Sequence, residues 1–225
     1  MQRNRTALKL VAGLGAVAML AGACGKSNSS SAKKSSDTTQ AAQVANPVDG
    51  GASALRAELT SLLQAHVYLA GVATSTALHG GDLTAPAAAL DANSVELSKA
   101  IGSVYGDAAG KQFLDLWRKH IGFFVDYTKG RAANDQAVMD KAKSDLDGYR
   151  NDFGAFISSA NPNLPKDAVA NELIPHIQTL LAAIDAQAAK DPSAFDKLKM
   201  AGDHMPMTAD ILAGGIAKQF PAKFK

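Results

Sequence analysis

Leu59-Thr60-Ser61-Leu62-Leu63-Gln64-Ala65-His66-Val67-Tyr68-Leu69-Ala70 puts Leu59, Leu62, Leu63, His66, Val67 and Ala70 on one face of a 3.6-residue helix. The same frame returns twice. It appears as Phe113, Leu116, Trp117, His120, Ile121 and Phe124, then as Val169, Glu172, Leu173, His176, Ile177 and Leu180. In each frame the residues stand at −7, −4, −3, 0, +1 and +4 from the histidine. The histidines are 54 and 56 residues apart. An imidazole on such a face points toward a core, where it needs a hydrogen-bond partner or a metal ion.

The rest of the chain reads as helix around these frames. Alanine is abundant and no β-branched alternation occurs, which favours helix over strand. Six helices are expected, at about 53–79, 84–104, 107–129, 134–159, 165–190 and 192–219. Expected start signals are Thr84 with Pro86, Asp107, Asn134, Pro165 and Asp191-Pro192. Expected stops are Gly80-Gly81, Gly106, Gly130 and Asn161-Pro162. The fold class that follows is all-α: a six-helix bundle built from three helical-hairpin repeats of about 55 residues. The second helices of the hairpins match one another only loosely. An open solenoid is the other arrangement that repeated hairpins can take.

Three segments organise the chain. Residues 1–23 read as an export signal, with Arg3, Arg5 and Lys9 ahead of the acid-free apolar stretch Leu10 to Ala23, which is too short to span a bilayer. That stretch ends in Leu20-Ala21-Gly22-Ala23-Cys24, which resembles a lipoprotein lipobox with its leucine one place early. Cys24 is the only cysteine in the chain, and an exported protein seldom keeps one unpaired, so Cys24 is the expected lipid attachment site. The alternative is plain cleavage after Ala21-Gly22-Ala23, leaving a free thiol. Residues 24–51, rich in Ser, Lys and Ala, form a tether able to hold the folded part about 30 Å from a membrane. Residues 52–225 form the helical domain. The expected location is therefore the outer face of the bacterial cell membrane, held there through the N-terminal lipid.

Charge excludes one class of partner. Removing residues 1–23 takes away three basic residues and no acidic one, so the formal net charge moves from +2 to about −1. Nothing argues for nucleic acid. A single cysteine also excludes a disulfide framework, a thiolate metal cage and Cys-x-x-Cys-His haem attachment.

Metal chemistry is the specific expectation. Neutral imidazole is a common ligand for zinc and copper. Besides His66, His120 and His176, the stretch Met200-Ala201-Gly202-Asp203-His204-Met205-Pro206-Met207 sets a histidine among thioethers, a combination suited to Cu(I). The candidate metal residues are thus His66, His120, His176, His204, Met205 and Met207, with copper as the favoured ion. Pro175 and Pro206 stand inside predicted helices beside His176 and His204, where each removes a backbone donor and is expected to kink its helix. The competing reading makes the histidines packing residues and the methionines core filler, in an interaction or structural module of the cell envelope with no metal.

Enzyme signatures are missing. The chain has three glutamates, Glu58, Glu96 and Glu172, and no Glu-x-x-His pair for a di-iron bundle. His-Glu-x-x-His, Gly-x-Ser-x-Gly and phosphate-binding glycine loops are absent, and no catalytic residue is assigned. His79 beside Gly80-Gly81 reads as a solvated cation at a helix C-terminus. Phe113, Trp117, Phe123, Phe124 and Tyr127 read as core at helical spacing.

Three stretches also carry a resemblance: Leu55-Arg56-Ala57-Glu58-Leu59 through Ala70, Leu116-Trp117-Arg118-Lys119-His120 through Phe124, and Ala209-Asp210-Ile211-Leu212 through Pro221. Over residues 54–221 the chain resembles a set of exported all-helical bacterial proteins, mostly from actinobacteria and Gram-positive bacilli. The resemblance implies a helical fold and an extracytoplasmic compartment. Some members carry copper-related labels, and the resemblance implies no mechanism.

Overall fold

The structure is a computed structural model and describes residues 50–224. The expected signal segment, Cys24 and nearly all of the tether lie outside the described residues. The described chain is six helices: α1 Gly51–Leu78, α2 Thr84–Tyr105, α3 Asp107–Ala133, α4 Gln136–Ala160, α5 Lys166–Ala189 and α6 Ala194–Gln219. No strand occurs among the described residues. No helix there is long and apolar enough to cross a membrane.

Each helix packs on the next, and α6 returns onto α1. The odd-numbered helices also touch one another: α1 meets α3 and α5, and α3 meets α5. That arrangement follows from the repeated frame. Its −7, −3, 0 and +4 positions are buried in all three helices: Leu59, Leu63, His66 and Ala70; Phe113, Trp117, His120 and Phe124; Val169, Leu173, His176 and Leu180. A face so uniformly apolar must be covered, and three such faces cover one another. The surrounding core draws in Leu97 from α2, Leu146 and Phe153 from α4, and Ile216 from α6. Each such side chain contributes about 1.5–3 kcal/mol on burial.

Buried polar groups tie the inner helices together. The Thr74 hydroxyl on α1 donates to Gln187 Oε1 on α5 at 2.9 Å, and Gln187 Nε2 donates to the Gly71 carbonyl at 3.1 Å. Tyr127 on α3 donates its hydroxyl proton to Asp185 on α5 at 2.9 Å.

Helix ends depart from expectation where tertiary contact outweighs local signals. Gly130 does not stop α3, which runs on to Ala133. The glycine is there for proximity: a Cβ on it would lie 3.0 Å from side-chain atoms of Val138 and Met139 on α4. Asn134 ends α3 in the left-handed conformation, with φ 54°, instead of opening α4. Asp135 caps α4, its carboxylate accepting from the Val138 N–H at 3.1 Å. Thr84 is the first residue of α2 and not its cap, and its N–H donates to the Asp82 carboxylate at 2.9 Å. Likewise Gly106 precedes α3, so Asp107 lies in the first turn. α6 starts at Ala194, after Pro192.

Neither internal proline ends its helix, for α5 continues across Pro175 and α6 across Pro206. A helix normally pairs the N–H of residue 206 with the carbonyl of residue 202. Here the Gly202 carbonyl accepts from Gln64 Nε2 on α1 at 3.4 Å. A neighbouring helix thus meets the acceptor that the proline leaves free.

Candidate metal centre

His66, His120 and His176 come together where α1, α3 and α5 meet. Each offers a ring nitrogen, and those nitrogens all lie within 4.8 Å of one another. The closest pair is His66 Nε2 and His120 Nε2, at 3.3 Å. Ring centroids are 5.2 Å apart for His66 and His120 and 6.2 Å for His66 and His176. The three residues are 1%, 2% and 5% exposed. Three buried histidines are thus close enough to hold a metal ion.

Aromatic rings fix these imidazoles. Trp117 lies 4.8 Å from the His66 ring and 4.5 Å from the His120 ring, edge-on to the latter. Tyr149 from α4 stacks on His120 at 4.8 Å, and Phe124 meets the His176 ring edge-on at 6.1 Å. With rings on several sides, the rotamers have little freedom, which is the condition for a preorganised ligand set.

Burial also fixes protonation. It lowers the His66 pKa to about 3, with the His176 ring adding to the effect. It lowers the His176 pKa to about 4, with His204 adding. Burial holds His120 well below the ordinary range, with further depression from His66 and His176. The Trp117 backbone opposes that shift, although His120 Nδ1 makes no well-formed hydrogen bond there. At neutral pH all three rings are therefore uncharged, each with a lone pair to give.

The polar atoms around this cluster are under-satisfied. Nδ1 of all three histidines is buried without a partner, as are Trp117 Nε1 and the Tyr149 hydroxyl. Each such atom costs about 1–3 kcal/mol. Against the cluster lies a cavity of about 20 Å³ whose walls include His176, Trp117, Met205 and Thr208 with apolar neighbours such as Leu59 and Phe153.

The remaining candidates separate. Met205 is 2% exposed and shares the cavity wall with His176. His204 sits between α5 and α6, its Nε2 2.9 Å from the Glu172 carbonyl and 3.1 Å from Glu172 Oε1. Met207 is 58% exposed, outside the group of three. His79 is solvated at the end of α1 as expected, its Nδ1 2.7 Å from the Ser75 carbonyl.

Glu172 and Tyr149 were not singled out for the site from sequence. For Glu172 a signal exists: it stands at −4 of the third frame, where the other two carry Leu62 and Leu116. Tyr149 has no such mark, because it comes from a helix outside the repeated frames.

Comparison of the chain with protein-family models, with curated proteins and with solved structures gives no match in any of the three.

Proposed function

We propose that this chain is a lipid-anchored extracytoplasmic protein that binds one copper ion, as Cu(I), through His66, His120 and His176, with Met205 as the neighbouring soft donor. The observation that carries the reading is the convergence of three neutral, buried imidazoles, each with a ring nitrogen within 4.8 Å of the other two. Metal–nitrogen bonds of about 2.0–2.1 Å require ligand atoms about 3.3–3.6 Å apart. The His66–His120 pair, at 3.3 Å, already meets that spacing.

Charge selects among ions. The group contains no carboxylate and no thiolate. A cation bound there keeps its full charge in a low-dielectric core. The cost of burying an ion grows with the square of its charge, so a monovalent ion is far cheaper to hold than a divalent one. Imidazole and thioether donors favour copper among the monovalent choices. The repeated frame in α1, α3 and α5 supports reading the chain as three hairpins of common origin, which is how one histidine becomes three. Anchoring rests on the reading of residues 1–24.

The alternative, a packing-only role in an envelope interaction module, draws on the same 3.3 Å contact, since two neutral imidazoles can share a proton without metal. Thermal unfolding under reducing conditions separates the two readings. A ligand at a hundredfold excess over Kd stabilises the native state by about 2.7 kcal/mol. For a domain of this size that raises Tm by about 5–10 °C. Cu(I) should produce the shift and Zn(II) a smaller one, and no shift with either ion favours the packing role.

A further inference from the structure

We propose that α6 carries an outer capture site for a soft monovalent cation, formed by Met200, His204 and Met207, which loads the buried histidines through His176. The inference rests on the copper reading and adds how the ion arrives. These three residues stand at i, i+4 and i+7 of one helix and so form a single stripe. Met200 and Met207 are both 58% exposed, while the His204 side chain between them is 12% exposed. The stripe therefore has two thioethers in solvent and an imidazole leading inward.

His204 is held as metal-ligating histidines usually are. Both of its contacts to Glu172, carbonyl and carboxylate, fall on Nε2, and the Thr208 hydroxyl donates to the same carboxylate oxygen at 3.3 Å. Nε2 is thus the donor, and Nδ1 carries the lone pair. A carboxylate fixing the tautomer in this way is the usual second partner of a ligating imidazole. The position of His204 suits transfer. Of the buried trio, His176 is the most exposed, at 5%, and it shares a cavity wall with Met205, the residue next to His204 on α6.

An ion passing along the stripe exchanges one soft donor for the next, with no change of oxidation state. The test supplies Cu(I) as the complex of a bidentate chromogenic chelator, with protein in excess so that loading is bimolecular. Decay of the chelate absorbance gives the loading rate, and its endpoint gives the affinity. The Met200→Leu/Met207→Leu double variant should load about tenfold more slowly or worse, with an unchanged endpoint. His204→Asn should also slow loading, with far-UV circular dichroism confirming its fold. Loading of the double variant at the unchanged rate overturns the capture site and leaves the buried site standing. A weaker endpoint in the double variant also overturns it, by making the methionines part of the resting site. No transfer to the unsubstituted protein overturns both the capture site and the copper reading.

Discussion

His66 and His120 meet Nε2 to Nε2 at 3.3 Å across α1 and α3, inside a ring of aromatic side chains. Two neutral imidazoles this close direct at most one proton between them, and the third ring, His176, completes a group of three ring nitrogens within 4.8 Å of one another.

The apoprotein should be acid-labile. A histidine whose folded pKa is depressed contributes stability that is fully present above its unfolded pKa of about 6.5. That stability is lost as pH falls, because the unfolded chain binds protons that the native core refuses. With His66 near 3 and His176 near 4, the loss should run from about pH 6.5 downward through pH 4. Each ring contributes up to about 1.4 kcal/mol per pH unit. Denaturant unfolding at pH 7, 6 and 5 measures the slope, and a flat profile contradicts the burial of neutral rings.

The same depression predicts little competition between protons and metal in mild acid. Because the rings are already neutral, ion binding to the folded protein should release almost no proton at pH 7 and stay nearly constant to about pH 5. Calorimetric titration in buffers of different ionisation enthalpy counts the protons. Release of one or more per ion would show rings protonated before binding.

Tyr149→Phe should leave stability within about 1 kcal/mol of the parent or raise it, because the hydroxyl removed is buried and unpartnered. The ring remains stacked on His120. Loss of ion binding in this variant would make the hydroxyl a ligand, contrary to the assignment here.

Gly110→Ala tests the packing of α2 on α3. The added Cβ would lie 2.8 Å from the Ser98 carbonyl oxygen, so the helices must separate. The expected loss is about 1–3 kcal/mol, read from the urea midpoint. An unchanged midpoint would mean the interface yields freely.

Cys24→Ser should release the protein from the membrane fraction or block its processing, since acyl chains anchor at about 0.8 kcal/mol per buried CH₂. Equal membrane retention of the variant contradicts lipidation.

The helices and the burial of the histidines were legible because periodicity reports the face of a helix directly. Thus the three frames located His66, His120 and His176 in the core. Their convergence was one of two readings, suggested by the equivalent places of the three histidines in the repeat, and the structure brings the rings together; a period alone says that a side chain points inward and not which rings meet. Met205 and Met207 show the limit: two residues apart in sequence, they differ by more than half a turn, and one is buried while the other faces solvent. Gly130 shows another. A glycine read as a helix stop was a helix contact, and only the neighbouring helix decides between the two.

The central claim is the ligand set, and X-ray absorption on protein loaded with one equivalent of Cu(I) tests it most directly. The account predicts three imidazole nitrogens at about 2.0 Å, with a sulfur scatterer that disappears in Met205→Leu. A first shell of oxygen atoms, or one unchanged when His120 and His176 are replaced by alanine, would contradict it.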